Sequence, residues 1–420
     1  MSALLGIVAL FGAPLFAIIA AGAMWGFYNS EIDLTVMAIE LYRLAEMPVL
    51  LAIPLFTFSG YLLGESGAPG RLMRLSKAFL GWFPGGLGVV ALIACAFFTA
   101  FTGASGITII ALGAILYPAL EQAGYEKNFN LGLITTSGSL GLLFAPSLPL
   151  ILYGIVAQQA GGDISVNLDE LFLAGALPGV LMLVLLSGYV VYKRRGKKLG
   201  GKVTVAEIGR SLRESIWELP LPFVVLGGIY SGYFAVSEAA AVTACYVLLV
   251  EVFILREISF RQVPVIMRQS MVLVGGILLI LGVSLASTSY MIDAEIPAKL
   301  FDYVQSHVEG RLTFLLLLNI FLLLLGAILD IFSALVLVVP LILPVALSYG
   351  IDPLHLGIIF LANMQIGYIT PPVGLNLFIA SYRFDEPVLT LYKSTWPFFL
   401  LLLASVLIIT YVPFLSLWFR

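Results

Sequence analysis

Charge is scarce in this chain. Of 420 residues, 11% are Asp, Glu, Lys or Arg and 61% are hydrophobic, whereas soluble domains carry about a quarter charged residues. That balance excludes a water-soluble globule, and a formal net charge of −3 points away from nucleic acid. Histidine is limited to His307 and His355, and cysteine to Cys95 and Cys245. Two cysteines inside apolar runs exclude a disulfide framework and imply buried packing. With no nucleophile–base pair and no metal-ligand cluster in view, an intramembrane enzyme is disfavoured. The first apolar run lacks a basic n-region and exceeds the roughly 7–15 residues of a signal-peptide core. It reads as a retained helix.

What the chain has is long charge-free runs. Leu4 to Tyr28, Leu171 to Tyr192, Met271 to Ile292 and Trp396 to Trp418 each reach the ~18 residues needed to cross a hydrocarbon core of roughly 30 Å. The stretch Lys193-Arg-Arg-Gly-Lys-Lys198, with Lys202, Arg210 and Arg213, holds eight of the 21 Lys and Arg, which places it in the cytoplasm. Threading outward from it predicts crossings near 4–27, 47–64, 130–154, 171–192, 219–235, 236–255, 270–290, 355–381 and 396–417. Two further stretches, 86–121 and 312–347, each leave and return on one side. Only Arg43, Lys299, Arg311 and Arg420 then face outward. The outward loop 157–170 holds acids and no bases. The N-terminus is expected in the cytoplasm and the C-terminus in the periplasm.

The two halves repeat a pattern of apolar stretch, small-residue break, proline-ended second limb, glycine turn and proline-interrupted helix. A shift of 226 carries Pro118 onto Pro344 and Gly124 onto Gly350; a shift of 225 carries Gly132 onto Gly357 and Pro146 onto Pro371. One gap reconciles them. The unmatched crossing at 219–235 reverses the second half, so the repeat is inverted, a pattern typical of secondary transporters with a midplane site. A nonselective channel is disfavoured because the polar groups cluster at paired breaks.

Stretch 86–121 is interrupted at Phe101-Thr-Gly-Ala-Ser-Gly106, leaving limbs of about 14 residues, or roughly 21 Å. A re-entrant hairpin fits, and two short spanning helices would also return to one side. Next, Gly138, Gly141 and Pro146 weaken a helix in mid-membrane. Unwound carbonyls there, with the hydroxyls of Ser105, Thr108, Ser137 and Ser139, suit a dehydrated monovalent cation, sodium being the natural candidate. Thr102, Gly103, Ser105, Thr108, Ser137, Gly138 and Ser139 form the first expected site. In the second half Asp330 stands alone in a long apolar run, at a cost of about 2.5–3.5 kcal/mol, and either an ion or a structural cap must compensate it. Asp330, Ser333, Asn363, Gly367 and Thr370 form the second expected site. No Lys or Arg falls at the predicted midplane. A carboxylate would meet hydroxyls, amides and half-helix ends, with Ser105, Pro146, Ser147, Asn363, Pro371, Pro372 and Asn376 facing it.

Thr102-Gly-Ala-Ser-Gly106, Ser137-Gly-Ser-Leu-Gly141 with Pro146-Ser-Leu-Pro149, Gly227-Gly-Ile-Tyr-Ser-Gly232 with Ser237-Glu-Ala-Ala-Ala241, and Thr370-Pro-Pro-Val-Gly374 together resemble the large membrane subunit of TRAP (tripartite ATP-independent periplasmic) transporters. The likeness covers essentially the whole chain. One departure is Ala235-Val-Ser-Glu238, where many members have Thr-Pro-Thr-Glu. The resemblance implies an all-α elevator-type transporter in the bacterial inner membrane. It also implies sodium as coupling ion, no cofactor, a small membrane partner subunit, and a periplasmic binding protein delivering an organic acid such as a C4-dicarboxylate or sialic acid. It further implies a transport domain of 86–154 and 312–381, with scaffold and arms at 1–85 and 155–311 and a C-terminal scaffold helix at 382–420. An autonomous sodium–dicarboxylate symporter is the alternative within transport.

Overall fold

The structure is a computed structural model that describes residues 13–80, 85–160, 166–194, 205–308 and 310–420. It is all-helical among them. The helices are α1 (Leu15–Asn29), α2 (Thr35–Ala45), α3 (Ala52–Glu65), α4 (Ala68–Leu80), α5 (Gly86–Thr102), α6 (Ser105–Gln122), α7 (Lys127–Ser137), α8 (Leu148–Gln159), α9 (Leu168–Lys193), α10 (Val205–Glu214), α11 (Pro220–Tyr230), α12 (Val236–Leu248), α13 (Val263–Asp293), α14 (Ile296–His307), α15 (Arg311–Ile328), α16 (Ile331–Ser348), α17 (Pro353–Gly367), α18 (Leu375–Phe384), α19 (Val388–Tyr411) and α20 (Phe414–Leu417). Among the described residues eight helices are long and apolar enough to cross a membrane, and α7 with α8, bent by 43°, makes a ninth. Most of the basic stretch at 193–202, part of loop 157–170 and the start of the first apolar run lie outside the described residues.

Helix α9 measures the molecule. Its 26 residues span about 39 Å at 1.5 Å per residue, with different neighbours at its two ends. Near its start Glu170 pairs with Arg420, which also bonds to Asp352 at 2.7 Å. Just past its end Arg194 donates to the Ala123 and Gly124 carbonyls at 2.9 and 2.8 Å. Hairpin α5–α6 therefore opens at the Arg194 end. Hairpin α15–α16 opens at the other, where Tyr349 donates to Val308 O at 3.0 Å beside Asp352. The two hairpins point in opposite directions, as an inverted repeat requires.

The register of the repeat is simpler than expected. Each second limb ends in the same turn: Gly124 N bonds Glu121 O and Tyr125 N bonds Leu120 O, while Gly350 N bonds Leu347 O and Ile351 N bonds Ala346 O. Both glycines have φ near +70°, open to glycine at no steric cost. The shift is 226 throughout. It also carries Gly141, packed on Ala96 and Ala100 of α5, onto Gly367, packed on Gly326 of α15, and Pro146 onto Pro372. Gly132 and Gly357 are not equivalent, since one meets α19 at Ser394 and the other the Tyr153 ring of α8. No gap is needed.

Three expectations need correction. The hairpin limbs have 17 or 18 residues rather than about 14, because helix continues to within a residue or two of each tip. They remain well short of α9, and the first tip is buried. The crossing at 219–235 is helical only over Pro220–Tyr230. It still passes end to end: Arg71 joins Glu218 to Glu251 at one end, whereas Ala235 lines a cavity with Met47 and Gln158 at the other. Cys95 is buried, but Cys245 is exposed on α12, where the apolar surface around it is outward-facing rather than core. At the family departure, Glu238 accepts a hydrogen bond from Ala235 N at 2.9 Å, so the carboxylate caps α12.

Candidate functional site

The first hairpin tip is seated by close approaches. A Cβ on Gly60 of α3 would fall 2.5 Å from Thr102 Cα, and one on Gly103 would fall 2.5 Å from the Leu148 side chain of α8. Thr102, Ser105 and Thr108 are buried beneath this packing. The break that follows α7 is held from the hairpin: Thr99 Oγ1 donates toward Gly138 O at 2.9 Å and lies 2.7 Å from Thr108 Oγ1. Thr99, Thr108, Ser105 and Gly138 thus come together. Ser137 and Ser139 turn back on their own chain, donating to Ile134 O at 3.1 Å and Thr136 O at 3.4 Å. Pro146 is buried, and Ser147 donates to Leu142 O at 2.6 Å.

The second tip is built differently. Asp330 is the N-cap of α16, its Oδ1 accepting from Phe332 N and Ser333 N at 3.0 Å each and its Oδ2 from Ser333 Oγ at 2.5 Å. Three donors compensate the lone acid. Tyr368, just past α17, accepts from Ile331 N at 2.8 Å. The unwound Val373 and Gly374 amides donate to Ala327 O at 3.2 and 3.1 Å, so tip and break are laced by backbone. Thr370 bonds Ile366 O at 2.8 Å. Gly367 meets the backbone of Gly326.

Asn363 belongs to another network. Its Nδ2 donates to Asn319 Oδ1 at 2.7 Å, and Thr410 of α19 donates to the same oxygen at 3.1 Å. Asn319 lies about three turns down α15 from the tip. The geometry does not bring Asn363 to Asp330.

The two breaks meet each other through Asn376, at the start of α18, whose Nδ2 donates to Thr135 O of α7 at 3.2 Å. At this junction Asn376 Oδ1 and Thr135 Oγ1, and Thr136 Oγ1 next along α7, are buried with no protein partner among the described residues, as are both polar atoms of Gln365 on α17. Such groups cost roughly 1–3 kcal/mol each when left unsatisfied. Pro371 and Pro372 are exposed. A cavity of about 790 Å³ lies away from the tips, between α2, α8 and α13, with Arg43, Gln158, Gln159 and Thr288 in its walls. None of the residues expected to face substrate lines it.

Thr99, Tyr368 and Asn319 were not among the expected site residues. Thr99 carried a usable signal, since Thr99 and Thr108 stand equally far on either side of the tip and so face each other across an antiparallel hairpin. Tyr368 and Asn319 carried none, because their partners lie on other elements.

The family model described as "Tripartite ATP-independent periplasmic transporter, DctM component" matches residues 2–415. The C4-dicarboxylate TRAP transporter large permease protein DctM of Rhodobacter capsulatus is 34% identical over 404 residues, covering 93% of this chain and 91% of the relative. The sialic acid TRAP transporter large permease protein SiaM of Vibrio cholerae is 32% identical, covering 83% of this chain and 80% of the relative. Among solved structures, the YdaH transporter of Alcanivorax borkumensis has a TM-score of 0.61 at 15% identity, covering 91% of this chain and 87% of that one, a likeness of fold alone. A match along nearly the full length, to relatives named as permease subunits, agrees with two opposed hairpins closing on two broken helices: this chain belongs to the DctM family of TRAP transporter large permeases.

Proposed function

We propose that the chain takes up an organic anion by sodium-coupled symport, as the membrane subunit of a tripartite system in the bacterial inner membrane. The junction of the two breaks carries the reading: Asn376 bridges to Thr135 O, and Asn376 Oδ1 and Thr135 Oγ1 are themselves buried without partners among the described residues. Oxygens without donors suit a small hard cation, and the Gln365 amide supplies donor hydrogens for a carboxylate. Sodium ions bind at Ser105, Thr108 and Gly138 on one side and at the Asp330 tip on the other. Asp330 is already capped, so its second task is to hold negative charge at the tip. The hairpins and broken helices move as one body against the remaining helices, in an elevator motion.

A small membrane subunit and a periplasmic binding protein complete the system, the latter selecting the anion. Relatives are named for C4-dicarboxylate, sialic acid, ectoine and 2,3-diketo-L-gulonate, so the substrate class here is a small polar carboxylate. The basic end of the molecule faces the cytoplasm and Arg420 the periplasm. The test is reconstitution of this chain with its small subunit in liposomes, with loaded binding protein outside. Accumulation is expected to require an inward sodium gradient and the binding protein. Uptake that persists without the gradient refutes the coupling, and uptake without the binding protein refutes the tripartite assignment in favour of an autonomous symporter.

A further inference from the structure

Thr99 Oγ1 has more partners than hydrogens. It lies 2.7 Å from Cys95 O, 2.9 Å from Gly138 O and 2.7 Å from Thr108 Oγ1, and both threonines are fully buried. A hydroxyl carries one hydrogen. With Thr108 donating to Thr99, the Thr99 hydrogen has two carbonyls to serve. They are not equivalent. Cys95 O lies one turn back in α5, where it also accepts the helical bond of the Thr99 amide. Gly138 O belongs to the break, past the last residue of α7, and the Thr99 hydroxyl reaches it from a separate element. Turning the hydroxyl hydrogen about the Cβ–Oγ bond moves the hydrogen bond from one carbonyl to the other without shifting a heavy atom.

On its Cα side Gly138 is packed by the Ile109 side chain, 2.5 Å from where a Cβ would fall, with Ser105 O at 3.3 Å; its carbonyl faces the threonine hydroxyls. Gly138 O, Thr108 Oγ1 and Ser105 O are the oxygens of the kind that hard cations take as ligands. We propose that the Thr99 hydroxyl stands in for the coupling cation, donating to Gly138 O when no ion is bound and turning back to Cys95 O when sodium takes that carbonyl. This rests on the sodium-coupled reading of the same site. The hydrogen stays on Thr99 Oγ1 throughout; one hydrogen bond is exchanged for one ion–oxygen contact. In both states hairpin α5–α6 remains tied to the break, by the hydroxyl in one and by the ion in the other. Thr99 is therefore a positioning residue that competes with sodium, rather than one of its ligands.

The competing roles predict opposite signs. Thermal unfolding of the purified full-length chain is titrated with sodium chloride, with choline chloride holding ionic strength constant, for the wild type, Thr99→Val and Thr99→Ser. Sodium should stabilise the wild type saturably. Thr99→Val should unfold earlier in choline alone yet reach half-saturation at roughly three- to tenfold less sodium, the weight of one lost competing hydrogen bond. Thr99→Ser should titrate like the wild type. An unchanged or raised half-saturation in Thr99→Val overturns the proposal, because a ligand or a simple packing residue behaves that way. Should Thr99→Val not fold, Thr99→Cys, with its weak S–H donor, should shift in the same direction by less, and an unchanged or raised value there overturns it equally. A wild type that sodium stabilises no better than choline refutes the sodium reading itself.

Discussion

Asp330 accepts from two backbone amides and one hydroxyl at the start of α16, and this separates its structural work from an ionic role. Asparagine caps a helix as well as aspartate does, so Asp330→Asn should unfold within about 0.5 kcal/mol of the wild type, while Asp330→Ala should lose about 1 kcal/mol. If the carboxylate also holds sodium, both variants lose sodium-dependent uptake, by about tenfold or more for one charged contact. Normal uptake in Asp330→Asn would reduce the residue to a cap. The expectation of a cap or an ion partner was legible from an acid alone in an apolar run. That Asn363 turns instead to Asn319 and Thr410 was not legible, because three helices far apart in sequence bring those amides and the hydroxyl together.

At the scale of elements, the breaks were readable and their seating was not. Glycine, proline and serine betray an interrupted helix wherever they cluster, but only packing shows that Gly141 and Gly367 are the equivalent positions. Chance glycines at 132 and 357 obscured that register. A Cβ at Gly367 would fall 2.4 to 2.5 Å from Gly326 backbone atoms, which have no flexible end to give. Gly367→Ala should therefore cost about 1–3 kcal/mol by overpacking, seen as a lower unfolding temperature. Gly227→Ala, with nothing within 4 Å, should not unfold earlier. Helix α4 offers a second contrast. Arg71 is buried among Glu218, Glu251 and Glu257, bonding Glu218 Oε1 at 2.5 Å. Removing it strands buried carboxylates, so Arg71→Met should cost about 3–5 kcal/mol. Arg74, half-exposed with Glu214 at 2.8 Å, should tolerate alanine within about 1 kcal/mol.

For the whole molecule, the parity of crossings was the useful quantity in the sequence. Basic residues and apolar runs established which segments share an end, and the ion pairs of Arg71 and Arg420 and the hydrogen bonds of Arg194 to the Ala123 and Gly124 carbonyls connect segments in the same grouping. Orientation follows from that parity only through the charge rule. Single cysteines at Lys193 and Arg420, in a chain with Cys95 and Cys245 replaced by serine, should react from opposite sides of intact inverted or right-side-out vesicles with an impermeant thiol reagent. Labelling of both from one side contradicts the inverted repeat. That sodium bound at the hairpin tip drives uptake is tested most directly by initial uptake rate against external sodium for the wild type and Thr108→Ala, which removes the hydroxyl beside Thr99, each reconstituted with both partners. The wild-type curve should saturate and the Thr108→Ala curve should lie about tenfold to higher sodium. Superimposable curves, or a wild-type rate indifferent to sodium, would rule out sodium bound at the tip as the driving ion.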